Sequence, residues 1–171
     1  MMRWLHFILS HSIFIAFCAV AMCVQTGIIL HTTVDIYLLL FIFFSTLASY
    51  NFYWLISKYS FERNDVSLRN FARKNFFSVV LSLGSAVLML IFLWFVRYVW
   101  VYVFISFLLT LLYSVPLWPF YFALKARRAG FLKTVLLAFT WAFVTSIIPA
   151  VPVLKVDTMA IWILMTARFF F

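Results

Sequence analysis

The chain is organised as a series of apolar runs, each about 20 residues long, separated by short polar segments. A helix of ~20 apolar residues crosses the ~30 Å hydrocarbon core of a bilayer. Because lipid offers the backbone no hydrogen-bond partner, a chain in that solvent must pair its amides and carbonyls within its own secondary structure. The pattern therefore predicts an all-α, polytopic transmembrane helix bundle rather than a barrel of ~10-residue alternating strands.

The composition agrees with a membrane setting. Of the 171 residues, 68% are hydrophobic and only 10% are charged, and the mean hydropathy is +1.15. A soluble domain has about a quarter of its residues charged, because its surface faces water. We therefore expect one integral-membrane domain covering residues 1–171, in the inner membrane of a bacterium.

Six apolar segments can be drawn, at residues 9–30, 36–57, 76–96, 98–124, 134–154 and 158–171. The last has 14 residues and ends on "RFFF" without a polar flank, whereas a complete crossing needs ~20 residues. We therefore expect five complete helices and a truncated sixth, as in a truncated gene product or a fragment of a longer bundle.

The basic residues predict the orientation. With the N-terminus in the cytoplasm, ten basic residues fall on the inner side and two on the outer side, which is the distribution that cytoplasmic loops show. The inner residues are Arg3, Lys58, Arg63, Arg69, Arg73, Lys74, Lys125, Arg127, Arg128 and Lys133, and the outer ones are Arg97 and Lys155. Because the charges lie in short clusters between apolar runs, we predict no nucleic-acid partner despite the formal charge of +9.

Few residues of the apolar segments can carry chemistry. Ionisable residues inside membrane helices are the usual functional candidates, and the four acids all fall in polar segments by this assignment: Asp35, Glu62, Asp65 and Asp157. The missing intramembrane carboxylate argues against ion-coupled transport. Cys18 and Cys23 are interpreted as small buried hydrophobic residues, and no metal-ligand spacing is present.

Two polar clusters lie at predicted inner helix ends. Asn51 is a candidate cavity residue, because a buried amide needs hydrogen-bond partners in lipid. In "LLYSVPLWPFYFALKARRAGFLK", prolines near a helix end would let Tyr113 face a cavity. The basic residues that follow can neutralise a phosphate; they are Lys125, Arg127, Arg128 and Lys133. The alternative for this stretch is a topology anchor with an aromatic belt.

A third cluster occupies residues 139–152. Thr140, Thr145 and Ser146 can bond to helix carbonyls or to neighbouring helices, and Pro149 and Pro152 impose a kink or a helix end. Alone, such a cluster indicates helix packing more often than a site.

Taken together, "LYSVP", the basic stretch and "GFLKTVLLAFTWAFVTSIIP" resemble the fourth and fifth helices of the UbiA superfamily of intramembrane prenyltransferases. The resemblance covers roughly 40 residues, and its motifs are Tyr-x-x-Pro, Trp-Ala and Thr-x-x-x-Pro. The matching residues are Tyr113, Pro116, Lys125, Arg127, Arg128, Lys133, Trp141, Ala142, Thr145 and Pro149. It implies a bundle of about nine helices around a cavity, with a diphosphate site that includes Asn51, Tyr113 and the basic residues.

The family also implies Mg²⁺ held by two Asp-rich loops against a prenyl diphosphate. The first pattern is Asn-Asp-x-x-Asp-x-x-x-Asp; counted from Asn51, its acidic positions are occupied here by Phe52, Leu55 and Tyr59. None of these side chains suits Mg²⁺, which prefers carboxylate and phosphate oxygens. The resemblance therefore implies the scaffold and the basic wall of a cavity, and leaves the cofactor open.

Three functions remain from the sequence. The first is a UbiA-like membrane protein that binds an isoprenoid or a similar lipid, with transfer of the prenyl group as the family activity. The second is a non-catalytic membrane carrier or accessory subunit. The third is a fragment with no independent function.

Overall fold

The computed structural model describes residues 12–62, 73, 75–114, 126–153 and 158–170, with side chains except at 56–57, 59–62, 113–114, 126–130, 132–133 and 153. These residues form six α-helices and no strand, so the predicted helical class is confirmed for this part of the chain. The helices are α1 Ile13–Ile29, α2 Ile36–Glu62, α3 Phe76–Phe95, α4 Trp100–Ser114, α5 Ala126–Ala150 and α6 Thr158–Phe170. Short 3₁₀ turns follow α3 and α5, at Arg97–Val99 and Val151–Val153.

The chain divides into two compact units rather than one. The first unit contains residues 1–21 and 35–96, and the second contains residues 22–34 and 97–171. Helix α1 contributes to both, because the division falls between Ala21 and Met22. The units are described separately below.

In the first unit, α2 and α3 pack against each other. The stretch Ile36–Leu55 of α2 and the whole of α3 are long and apolar enough to cross a membrane. Parallel aromatic pairs lie along the two helices: Tyr37 with Phe95, and Phe44 with Phe92, at centroid distances of 5.1 and 5.7 Å.

Helix α3 buries small polar residues and exposes large apolar ones. Its buried side chains are Ser78, Ser82 and Ser85, whereas Leu83 and Trp94 are 63% and 61% exposed. Small residues at a helix surface let the backbones of neighbouring helices approach closely. The arrangement is the reverse of an amphipathic helix in a soluble protein.

In the second unit, α5 packs against both α4 and α6. A cluster of buried apolar residues joins the end of α1 to α5 and α6. Its members are Leu30, Ala142, Phe143, Ile147, Ala150, Ile161 and Met165. The edge of the Phe169 ring contacts Phe139 at a centroid distance of 6.4 Å, so both ends of α6 pack on α5.

Helix α1 ends in a tight turn of the second unit. The Thr32 amide donates to the Gly27 carbonyl at 2.8 Å and the His31 amide donates to Ile28 at 3.3 Å, while His31 has a φ of 50°. This is the Schellman arrangement, with histidine at the left-handed position that glycine usually takes. A Cβ on Gly27 would lie 2.5 Å from Val34 Cγ2, so this turn requires glycine at position 27.

The next helix, α2, begins with a side-chain cap. Asp35 Oδ1 accepts a hydrogen bond from the Tyr37 amide at 3.1 Å, and the Asp35 carbonyl accepts from Leu39. A carboxylate at this position satisfies one of the free amides of a first helical turn. Asp35 therefore lies outside the helix, as the sequence predicted, and it caps that helix.

Two predicted boundaries were wrong. Helix α2 continues to Glu62, so Lys58 and Glu62 lie in the helix rather than in the following loop. Helix α5 begins at Ala126, so Arg127, Arg128 and Lys133 are helical rather than part of a connection. Charged residues mark the end of an apolar segment, but Arg, Lys, Glu and Ala are strong helix formers and let the helix continue.

Candidate functional site

Of the residues predicted for a diphosphate site, Asn51 is the one whose side chain the structure describes. It is buried, and its Nδ2 donates to the Leu47 carbonyl of the same helix at 2.8 Å. Tyr113 lies in α4, but its side chain is outside the described residues. The same holds for Arg127, Arg128 and Lys133 in α5, and Lys125 is wholly outside them. Their joint role therefore stays a prediction.

The C-terminal end of α2 does not fit the magnesium site that the family resemblance implies. Phe52 is 59% exposed, and neither Phe52 nor Leu55 has an oxygen that could bind the ion. Among the described residues, no group of three or more His, Cys, Asp or Glu could hold a metal ion.

A lysine contact lies near the same end of α2, in the first unit. Lys58 Nζ donates to Asn75 Oδ1 at 2.7 Å and lies 4.7 Å from the ring centroid of Trp54. Asn75 is buried just before α3. A lysine near a helix end can keep its stem along apolar surface while its amine reaches polar partners. We call Lys58, Trp54 and Asn75 the Lys58 contact.

The most elaborate polar arrangement among the described residues surrounds Arg168, in the second unit. Arg168 lies near the end of α6 and is partly buried. Its guanidinium donates to five acceptors on α1 and α5. Nη1 donates to Thr26 Oγ1 at 2.8 Å, to the Thr145 carbonyl at 2.6 Å and to Ser146 Oγ at 3.4 Å. Nη2 donates to the Met22 carbonyl at 2.8 Å and to Gln25 Oε1 at 3.2 Å. We call Arg168 and these residues the Arg168 cluster.

Pro149 explains why a carbonyl inside α5 is free to bind Arg168. In an α-helix the carbonyl of residue 145 accepts from the amide of residue 149, and proline has no amide hydrogen. Pro149 lies inside α5, so the Thr145 carbonyl has no partner in its own helix at that position. The Thr26 hydroxyl at 2.7 Å and the Arg168 guanidinium at 2.6 Å lie within hydrogen-bond distance of it.

Thr26 joins the two helices that receive the guanidinium. It is fully buried, and its hydroxyl lies 3.0 Å from the Met22 carbonyl and 2.7 Å from the Thr145 carbonyl. The single hydroxyl hydrogen can be donated to one of these carbonyls, while the oxygen accepts from Arg168. Thus α1, α5 and α6 share one hydrogen-bond network, with one cation at its centre.

All five acceptors of the Arg168 cluster are uncharged. They satisfy N–H groups of the guanidinium but do not neutralise its charge. A cation within membrane helices is costly unless polar groups or an anion compensate it. The cluster can therefore lock three helices together, and it can also attract an oxyanion.

Arg168 was not among the site residues predicted from the sequence. It lies in the last apolar segment, 158–171, and an ionisable residue in a membrane helix is a default functional candidate. The position of a cation in an apolar segment could therefore have identified Arg168 from the sequence. The pairing of Arg168 with its acceptors could not have been identified from the sequence, because all five lie far from Arg168 along the chain.

The third polar cluster is partly accounted for by the same contacts. As predicted, Thr140 and Thr145 donate to carbonyls of their own helix, those of Leu136 and Trp141, at 2.8 and 2.7 Å. Ser146 faces Arg168 on the neighbouring helix α6. The helix continues through Pro149 to Ala150 before the 3₁₀ turn begins.

No protein-family model matches the chain, and neither a curated protein nor a solved structure gives a significant match. The site is therefore interpreted from its own residues.

Proposed function

We propose that this chain is a polytopic integral-membrane protein that binds an isoprenoid diphosphate or a similar anionic lipid without transferring its prenyl group. The observation that carries the membrane assignment is the surface of α3. This helix exposes Leu83, Leu90 and Trp94 by about 60% each while burying its serines. Such an exposed apolar surface favours lipid over water as its solvent.

The orientation of the bundle follows from the basic residues. With the N-terminus in the cytoplasm, the start of α5 and the end of α2 lie on the inner side, together with most Lys and Arg residues. Arg97, in the turn between α3 and α4, then lies on the outer side.

The lipid class rests on the basic residues at the start of α5. The guanidinium groups of Arg127 and Arg128 can bind phosphate oxygens in a bidentate manner, and Lys125 and Lys133 can add point charges. A diphosphate offers enough oxygens for several such contacts. The resemblance to UbiA prenyltransferases supports an isoprenoid tail.

Binding without transfer is favoured by the inner end of α2. Asn51 donates to the Leu47 carbonyl at 2.8 Å, and Phe52, Leu55 and Tyr59 occupy positions where the family has metal-binding acids. Without carboxylates at those three positions, the family's ligands for the ion that activates a diphosphate leaving group are missing. A carrier or an accessory subunit needs only the basic residues that bind the lipid headgroup.

The test is saturable binding of a labelled prenyl diphosphate to the full chain in lipid nanodiscs, with and without Mg²⁺. We expect saturable binding, and no prenyl product when acceptors are offered. Replacing the basic residues of α5 (Lys125→Gln, Arg127→Gln, Arg128→Gln and Lys133→Gln) should weaken binding by about tenfold or more, because several charge-assisted hydrogen bonds are lost.

The matched control removes four charges from the other inner basic segment: Arg63→Gln, Arg69→Gln, Arg73→Gln and Lys74→Gln. The control should bind as the natural chain does. Equal, unsaturable uptake with and without Mg²⁺ would overturn the proposal. Equal losses in the two quadruple variants would show that only overall charge matters.

A further inference from the structure

The guanidinium of Arg168 has two edges with different surroundings. The Nη1 side faces the Thr145 carbonyl and the Thr26 hydroxyl at 2.6 and 2.8 Å, with Ser146 farther away. On the other side, Nη2 donates to the Met22 carbonyl at 2.8 Å and more weakly to Gln25 at 3.2 Å. Nε donates to no residue in the described part of the chain. One edge is therefore saturated, and the Nε–Nη2 edge is not.

The Nε–Nη2 edge lies beside an exposed residue, because Arg168 is only partly buried and its partner Gln25 is exposed. Their contact lies on the exposed side of the cluster. Nε and Nη2 of a guanidinium form a planar fork that carboxylates and phosphates bind through two parallel hydrogen bonds. The exposed amide of Gln25 can rotate away from this edge without uncovering a buried group.

The cluster lies close enough to the helix ends for a headgroup to reach it. Gln25 precedes Ile29 by four residues and Ser146 precedes Ala150 by four, so their Cα atoms lie about 6 Å from the ends of α1 and α5 at 1.5 Å per residue. Arg168 begins deeper on α6, but helical side chains tilt towards the N-terminus of their helix. Arginines at such depths reach the headgroup region by extending along the helix surface.

We propose that the Nε–Nη2 edge of Arg168 binds a phosphate oxyanion, supplied by the headgroup of an anionic lipid, near the outer ends of α1 and α5. The anion supplies the counter-charge that the five neutral acceptors lack. This site requires the membrane setting proposed above, but it does not require the isoprenoid ligand or the basic residues of α5.

The decisive variant is Gln25→Glu. It places a carboxylate of nearly the same shape at 3.2 Å from Nη2, where it pairs with Arg168 and occupies the edge. The variant should keep the fold or strengthen it, and it should lose phosphate binding. This avoids the ambiguity of Arg168→Met, which removes the helix lock together with the ligand site.

Binding is measured on the full chain, purified in a neutral detergent, by native mass spectrometry with phosphatidylglycerol. Phosphatidylcholine and inorganic phosphate are the other two arms. We expect phosphatidylglycerol to remain bound to the natural chain, and Gln25→Glu to weaken it by about tenfold or more, because charge-assisted hydrogen bonds are lost and like charges meet. The matched control is Arg97→Gln, which removes a cation from the turn after α3 and should leave binding unchanged.

The three arms separate the possible sources of the oxyanion. Retention of phosphatidylglycerol with no response to inorganic phosphate identifies a lipid site. Thermal stabilisation by inorganic phosphate that is lost in Gln25→Glu would assign the site to a free anion and overturn the lipid source. Equal binding of phosphatidylglycerol to the natural chain and to Gln25→Glu would overturn the site itself, as would a loss in Arg97→Gln of the same size.

Discussion

The two units place a cation in opposite ways. In the first unit, Lys58 lies near a helix end and has an amide oxygen at 2.7 Å and an indole ring at 4.7 Å. In the second unit, Arg168 faces two other helices and donates to five acceptors. The lysine contacts one neighbouring amide and one ring, whereas the arginine joins its own helix to two others through five hydrogen bonds.

The difference arises from the helix partners rather than from the cations alone. Helices α2 and α3 pack against each other, and α3 buries only the small side chains Ser78, Ser82 and Ser85, which let helix backbones approach closely. In the second unit, Pro149 removes a hydrogen bond from α5 and exposes the Thr145 carbonyl to its neighbours. A planar group with several N–H donors can satisfy that carbonyl and contact α1 at the same time, and lysine has neither property.

The largest loss in the free energy of unfolding should come from Arg168→Met. The change removes the hydrogen bonds of the guanidinium to the Thr145 and Met22 carbonyls, and a hydrogen bond of a charged group contributes about 1.5–3 kcal/mol. We expect the free energy of unfolding to fall by about 3 kcal/mol, measured by tryptophan fluorescence during titration with sodium dodecyl sulfate. Arg168→Lys should recover less than half of the loss, since one amine cannot reach both helices. Stability equal to that of the natural chain in Arg168→Met would contradict the helix lock.

Substituting alanine for Gly27 or Gly84 tests the packing of the two units, and we expect the two changes to shift stability in opposite directions. Gly27→Ala places a methyl group 2.5 Å from Val34 and 2.9 Å from the Thr32 carbonyl, and such overpacking costs about 1–3 kcal/mol. Gly84→Ala, in α3, meets nothing within 4 Å and should stabilise its helix by up to about 1 kcal/mol. The same unfolding titration measures both. A destabilising Gly84→Ala would mean that another surface covers this part of α3.

The sequence predicted some elements closely for physical reasons. The third and sixth segments, 76–96 and 158–171, correspond to α3 Phe76–Phe95 and α6 Thr158–Phe170, because each apolar run begins directly after a polar residue. The start of α5 was missed by eight residues, since hydropathy reports membrane depth and does not report where backbone hydrogen bonding begins.

The Arg168 cluster could be predicted only in part. Pro149 and the i−4 rule identify the Thr145 carbonyl as an acceptor without a helical donor, and Arg168 was visible as a cation in an apolar segment. Their contact could not be inferred, because it depends on how α6 packs against α5. The roles of Asn51 and of the basic residues of α5 remain predictions.

Pro149→Ala tests whether the proline creates the need for Arg168. The alanine restores an amide at position 149, which can donate to the Thr145 carbonyl and compete with the guanidinium. In that background Arg168→Met should cost about 1 kcal/mol less than in the natural chain, a coupling of ordinary size for residues that share one network. A double-mutant cycle of unfolding free energies gives this value. Full additivity of the two changes would show that Arg168 acts independently of the proline.

The smallest loss in the free energy of unfolding should come from a substitution in the first unit, Lys58→Met. Lys58→Met removes the hydrogen bond to Asn75 and the contact with the Trp54 ring, but it keeps an apolar stem of similar length along the helix. Partly exposed cation–ring and cation–amide contacts contribute about 0.5–1 kcal/mol. We therefore expect a loss of less than about 1 kcal/mol in the same titration, and Lys58→Arg should be nearly neutral. A loss in Lys58→Met as large as that in Arg168→Met would remove the distinction between the two cations, because it would mean that α2 and α3 also depend on a charged lock.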